Sequence, residues 1–594
     1  MDDKNTILRL QKEIERLKNS VKKQKYGLVW MDVPEAFEDD VENKIPILKE
    51  VPDLAIKNDD GKPTHILIEG DNYHALTCLN YTHKGKIDVI YIDPPYNTGT
   101  DGFRYKDKRI IDKFPDGTEV PKDHPFRHSY WLSFMKKRLE LARDLLKDTG
   151  VIFISIDDNE SAQLKLLCNE IFKEENLLEV FYIQVRYSDK SLNEKDDFQK
   201  LIEQVLIYTK NKKLFKPNKP SSQYDIEKFR YRIIEKKKGK EITLGNKRVE
   251  IFLPKEYEII EEESGNIDFL KATWASGSVL KGNTSGKFFT DYLEKRKGID
   301  GLSVLYKVEG IGADGLGYRY FTGPKKANAT KGLFYSGVPL ERRLEVKSSN
   351  GSIKYKPIIN FYDYSADFGN IRHEGEVDFR SGKKPIKMIK HFISLHKNKN
   401  GIILDFFAGS GSTGHAGMSI NEDDAGKRQF IMITNNENNI MEETCYPRME
   451  NVMLGKRGVS KLGNSLKYYR TTFIGKNNIL NATDEDKIEF AHNAGELLAI
   501  AENTLELAKQ NEYYQLFEDS NKERYAAVYF REELDKFEEF VKMVKKIRKK
   551  TTVYVFSWGN EEFSDDFAYL KDVTVKTIPQ PILEIYKNIY NLGL

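Results

Sequence analysis

Cysteine is nearly absent from this chain of 594 residues: Cys78, Cys168 and Cys445 stand far apart. They cannot frame a disulfide scaffold or a cysteine metal site, and their scarcity fits a reducing compartment. Each sits in an apolar or helical context, as buried filler does. The ten histidines show no paired ligand spacing, so no metal site is read. Long apolar runs are missing as well, and none approaches the length of a membrane span. The first residues are polar and charged, without the pattern of a signal peptide, and a cytoplasmic location is expected. Excess charge of one sign is also absent: 95 Lys and Arg against 92 Asp and Glu leave a net charge of +3. Attraction to a polyanion would have to come from local clustering. The chain lacks G-x-x-x-x-G-K-[ST], so it is not itself an ATP-driven motor. It also lacks a convincing nuclease constellation.

Against these absences stands Asp93-Pro94-Pro95-Tyr96, at the end of the apolar run Ile87-Asp88-Val89-Ile90-Tyr91-Ile92. The run reads as a buried parallel strand, and ligands of open α/β sheets bind at the carboxyl ends of strands. The exocyclic amino group of a base is a poor nucleophile, because its lone pair is delocalised into the ring. The Asp93 carboxylate and the Pro94 carbonyl can accept its N–H bonds. Pro95 stiffens the turn, and Tyr96 offers a flat face to an extruded base. An ordinary proline turn is the plain alternative.

A second apolar strand, from Gly401 to Asp405, runs into the turn Phe406-Phe407-Ala408-Gly409-Ser410-Gly411-Ser412-Thr413, followed by small residues Gly414, Ala416 and Gly417. Such a turn lets a backbone approach a ligand closely and aims helix N–H groups at its anionic end.

Together the two motifs resemble the S-adenosylmethionine-dependent amino-methyltransferases of DNA, in the permuted β-group order with the D-P-P-Y half first. The resemblance extends to Val29-Trp30, Ile68-Glu69-Gly70-Asp71-Asn72-Tyr73, the run Tyr91 to Gly99, Trp131-Leu132-Ser133-Phe134-Met135 and Ile154 to Glu160. These segments are similar to the modification subunit of Type III restriction-modification systems, over about residues 26–210 and 378–475. The resemblance implies an α/β, circularly permuted Rossmann-like core with an inserted target-recognition domain and a C-terminal α+β module. It implies S-adenosyl-L-methionine as cofactor and Asp93, Pro94, Pro95 and Tyr96 as catalytic residues. It further implies that Phe407, Ala408, Gly409 and Gly411 meet the methionine end of the cofactor. Asp405 would reach the ammonium, or else support the turn, and Thr413 would reach the carboxylate, with Lys384 and Pro385 lining the same end unless Lys384 only starts a surface helix. Asp71 would meet the adenine end, unless it only caps a helix, and Glu437 is the best acid for the ribose.

The implied reaction is methyl transfer to N6 of a flipped-out adenine in double-stranded DNA. A homodimer and a separate helicase-nuclease restriction subunit are the implied partners. An orphan adenine methyltransferase, a cytosine-N4 enzyme and a non-catalytic DNA-recognition scaffold are the alternatives. No Pro-Cys pair is present to supply the nucleophile of C5 methylation.

The expected organisation is an N-terminal helix over 1–30, a first core half over 31–211, the target-recognition domain over 212–377, a cofactor half over 378–440 and the C-terminal module over 441–594. Ile7, Leu10, Ile14, Leu17 and Val21 make a short a/d seam, either a dimer zipper or an ordinary packed helix. The insertion carries a basic run from Lys228 to Arg248 and a second basic, aromatic stretch around Arg319, Lys325 and Arg342. Such residues bind phosphates or read base edges, although a single Lys in such a run is more often just solvated. In the C-terminal part, 488–507 and 533–549 read as helical, and Thr552–Phe556 and Val573–Val575 as strands.

Overall fold

The computed structural model describes residues 44–98, 126–190, 197–275, 285–343, 353–369, 371–379, 382–558 and 563–591. The helix expected over 1–30, with its Val29-Trp30 pair, and Gly99 lie outside the described residues. The chain divides into two compact units, one of residues Lys219–Ile358 and one of the segments on either side.

The larger unit is built on one mixed sheet of ten strands: β1 (Ile45–Glu50), β2 (Thr64–Glu69), β3 (Ile87–Ile92), β4 (Leu146–Ile156), β5 (Leu177–Gln184), β6 (Ile202–Thr209), β7 (Phe361–Asp363), β8 (Ile402–Asp405), β9 (Gln429–Thr434) and β10 (Ser465–Ile474). Their spatial order is β1-β10-β2-β9-β8-β3-β4-β6-β5-β7. From β10 to β4 all neighbours are parallel, while β6 runs against both β4 and β5. β7 falls within the stretch expected to be insertion, yet it pairs with β5 as an edge strand of this sheet.

The helices that matter for the site are α1 (Asn72–Thr82), α2 (Phe126–Leu145), α3 (Ser161–Cys168), α4 (Ile386–Ser394), α5 (Ser412–Asp424) and α6 (Tyr446–Leu454). β3 is buried along its whole length, as a central parallel strand covered on both faces must be. Alternate residues of the central strands go to opposite faces. Ile90, Ile92, Ile152 and Ile154 join α1, α2 and α3 in one apolar cluster. Tyr91 and Phe153 turn the other way, against Phe392 of α4, and α5 lies beside α4 on that face.

β8 and β3 are adjacent, with Ile403 opposite Val89 and Leu404 opposite Ile90. From β8 the chain passes through α5 to β9, and from β3 through α2 to β4, in opposite directions along the sheet. Their boundary is therefore a switch point, where the two connections diverge and leave a crevice at the strands' carboxyl ends.

Beyond β10, a five-stranded sheet runs in the order 506–510, 514–518, 524–529, 550–557 and 573–579, its last three strands parallel. The helical stretch expected over 488–507 is two helices, Asp484–Asn493 and Gly495–Glu502, and then the first of these strands. One face of this sheet packs on the amphipathic helix Phe537–Ile547. From the other face, Ala526, Val528, Tyr554 and Phe556 enter the same apolar cluster as Leu76 and Leu79 of α1, so this region and the large sheet share one core.

The smaller unit is an eight-stranded, wholly antiparallel sheet. Much of its basic run is paired within the unit: Arg232 with Glu262 at 3.1 Å, Lys236 with Glu258 at 2.9 Å, and Lys238 and Arg248 both with Glu241 at 3.1 and 2.9 Å. Its charge is thus largely compensated at the surface.

Among the described residues, no helix is long and apolar enough to cross a membrane. The three cysteines are free and buried.

Candidate active site

β3 and β8 end side by side, and each ends on an aspartate or just before one. Asp93 follows β3, and Asp405 is the last residue of β8. Past Asp93, the indole of Trp131 on α2 donates to the Pro95 carbonyl at 2.7 Å and fixes the turn from behind. No hydrogen bond among the described residues uses the Pro94 carbonyl, which stays available as an acceptor.

The Tyr96 hydroxyl donates toward Asp93 Oδ1 at 2.8 Å and toward Glu203 Oε2 on β6 at 3.0 Å. Lys384, just before α4, reaches into the same cluster. Its ammonium donates to the Tyr96 hydroxyl and to Glu203 Oε2, both at 2.7 Å, and lies 3.4 Å from Asp93 Oδ1. Burial pushes the Asp93 carboxyl up to about 6; Lys384 opposes the shift and Glu203 adds to it. Burial acts to lower the pKa of Lys384, but Asp93 and Glu203 more than offset it and hold the ammonium above its ordinary range.

The glycine turn forms the facing wall. Gly409 and Gly411 both have positive φ, +50° and +76°. At Gly411 a Cβ would stand 3.2 Å from Met449 Cε and 3.3 Å from Cys445 Sγ, so both conformation and space favour glycine. Asp405 receives the Phe407 N–H at 2.9 Å and the Thr413 hydroxyl at 2.5 Å. It has no ion pair among the described residues, and burial pushes it up to about 7.

Beneath the turn lies Arg448 of α6, fully buried. It donates to Ser412 Oγ at 2.7 Å and to Glu374 Oε2 at 3.0 Å. Glu374 in turn accepts the Ile386 N–H at the start of α4 at 3.3 Å. The glycine turn and the Lys384 segment are thereby tied together.

Both walls line a single cavity of about 890 Å³. Asp93, Pro94, Pro95 and Tyr96 border it on one side; Asp405, Phe407, Ala408, Gly409 and Thr413 border it on the other, with Lys384 between. Four residues expected at the site lie off this lining. Asp71 caps α1 through the Tyr73 N–H at 2.7 Å and pairs with Arg138 at 3.3 Å. Pro385 is the N-cap of α4, and Gly411 is the N-cap of α5. Glu437 follows β9, and its Oε2 is buried without a hydrogen-bond partner. Glu203 and Arg448 were not legible as site residues. Neither belongs to a local motif, and each reaches the site only through the fold.

Two parallel strands delivering a carboxylate turn and a glycine turn to one crevice define a doubly wound α/β protein with its crevice at the switch point, where ligands of such folds bind. The chain belongs to the DNA methylase family, whose model matches residues 87–444. It is 32% identical over 392 residues to the Type III restriction-modification enzyme StyLTI Mod subunit of Salmonella typhimurium, covering 63% of this chain and 53% of that protein. To the EcoPI Mod subunit of Escherichia phage P1 it is 31% identical over 410 residues, covering 63% and 58%. The chain thus spans little more than half the length of these relatives. Among solved structures, a putative DNA modification methylase of Thermus thermophilus complexed with S-adenosyl-L-methionine aligns with TM-score 0.30 and 11% identity, over 68% of this chain and 99% of that one.

Proposed function

We propose that this protein transfers a methyl group from S-adenosyl-L-methionine to N6 of an adenine in DNA, as the modification subunit of a Type III restriction-modification system. The observation that carries the proposal is the shared cavity, with Asp93 and Tyr96 on one wall and Gly409 and Thr413 on the other. The family and the Mod-subunit relatives support the reaction class. The order of the halves, with β3 before β8, supports a circularly permuted core, and the compact unit Lys219–Ile358 supports an inserted target-recognition domain.

The residues present fit the cofactor. Asp405 is a buried carboxylate without a cation, which an amino acid's ammonium would complement. The N-terminus of α5, opened by Gly411, suits a carboxylate. When bound, S-adenosyl-L-methionine supplies a methyl group activated on a sulfonium. The protein's part is orientation and electrostatics. Above pH 6 the ionised Asp93 accepts one N–H of the adenine amine, and the Pro94 carbonyl accepts the other. The two bonds draw the lone pair out of the ring and turn it toward the glycine wall. The Tyr96 ring, anchored through its hydroxyl, presents a face for the flipped base.

A homodimer and a separate restriction subunit complete the proposal, the latter because the relatives are named as Mod subunits of Type III restriction-modification enzymes. The family also takes in N4 amines, so the test must identify the product. Purified protein is incubated with tritiated cofactor and DNA from a strain that lacks the modification, and the nucleosides are then separated. The expected label is N6-methyladenine; label in N4-methylcytosine, or none, overturns the assignment.

A further inference from the structure

We propose that Glu203 is a positioning residue for methyl transfer, holding the Lys384 ammonium off Asp93 and competing with Asp93 for the Tyr96 hydroxyl, so that the Asp93 carboxylate can receive the target amine. The proposal rests on the methyltransferase reading of this site.

The geometry sets up a competition. The Tyr96 hydroxyl has one hydrogen and two carboxylates within reach, Asp93 Oδ1 at 2.8 Å and Glu203 Oε2 at 3.0 Å. The Lys384 ammonium stands 2.7 Å from Glu203 Oε2 but 3.4 Å from Asp93 Oδ1. Lys384 is 6% exposed, and a buried ammonium must keep an anionic partner. With Glu203 in place, that partner is Glu203, and the same oxygen can take the phenol hydrogen. Without it, Asp93 is the carboxylate left to both donors. An Asp93 oxygen occupied by an ammonium and a phenol is a poor acceptor for an adenine N–H. Glu203 stands near the start of β6, opposite Ile183, on a strand antiparallel to β4, so it approaches the turn from outside the β3–β8 pair. Asp157, Arg186, Lys190, Lys200 and Asp405 are further charged residues that line the cavity. Lys200 is held by Asp158 at 2.6 Å, which leaves Lys384 as the cation paired with Glu203.

The test compares wild type, Glu203→Gln, Glu203→Asp and Asp93→Ala by single-turnover methylation, cofactor titration and kcat against pH. For Glu203→Gln the expected result is a loss of kcat of about 100-fold, the scale of a misplaced reacting group, with cofactor Kd and DNA KM nearly unchanged. The acid limb of its profile should move to lower pH, because Lys384 then pairs with Asp93 and a nearby negative charge is gone. Glu203→Asp, which keeps the carboxylate, should recover part of the rate. Glu203→Gln with kcat within twofold of wild type and an unmoved acid limb overturns the proposal. Full activity of Asp93→Ala sinks the underlying reading instead, and the role of Glu203 falls with it.

Discussion

At the scale of single residues the proposed chemistry falls to Asp93 and Asp405, and both are held above the ordinary aspartate value of 3.8, at about 6 and about 7. Burial is the first cause in each case; the charge of Glu203 adds to the shift of Asp93, and the charge of Asp93 adds to that of Asp405. Between about pH 4 and 7 the folded protein therefore keeps protons that the unfolded chain has released. By linkage, these two carboxyls make stability fall as pH rises through that window. A cationic ligand has the opposite preference, since it binds best once Asp405 is ionised. Cofactor affinity should thus weaken as pH drops below about 7, with about half a proton released per ligand bound at pH 7 and nearer one below it. Calorimetric titration in buffers of different ionisation enthalpy measures that proton directly; affinity independent of pH from about 5.5 to 8 would contradict it. At the same scale, Asp93→Ala should lower methyl transfer by about 1000-fold, the upper range for loss of one preorganised polar group. Cofactor Kd, measured by the same titration, should stay within a few-fold, because the ligand's amino-acid end belongs to the other wall.

Elements show why some assignments were readable and others were not. β3 and β8 announce themselves as apolar runs of strand length ending in turn residues, and their motifs fall at the strand ends. The acid of β6 was not readable: Glu203 precedes an apolar strand like any solvated end residue, and only the antiparallel return of β6 beside β4 brings it to Tyr96. Arg448 was hidden for the same reason, since a lone Arg in a helix gives no sign that it will be fully buried under a turn. Asp71 was legible as a cap and is one, with Arg138 taking up its remaining charge. The strand at 506–510 is not legible in the sequence, because its apolar residues are few and mixed with charge. The turn between β8 and α5 offers a clean test of element geometry. Gly411→Ala places a side chain at φ +76° and against Met449 and Cys445, so it should cost about 1–2 kcal/mol. Urea unfolding reads that cost, and cofactor affinity should fall in parallel; an unchanged midpoint would show that the turn relaxes freely.

On the scale of the whole molecule, two segments more than three hundred positions apart in sequence become one site because a single register, Ile403 beside Val89 and Leu404 beside Ile90, lays their strands together. The sheet explains why the halves can be separated along the chain by a compact unit of Lys219–Ile358. The C-terminal strands contribute to the same core through α1, so they support the element that Asp71 caps. The account stands on methyl donor and acceptor amine sharing the crevice between β3 and β8. The most direct test is a crystal structure of the protein with S-adenosylhomocysteine and a target duplex. The predicted result has the ligand's ammonium at Asp405, its sulfur facing Asp93 across the cavity, and an adenine amine between Asp93 and Pro94. A ligand bound away from the glycine turn, or an adenine held where Asp93 and Pro94 cannot reach its amine, would contradict the account.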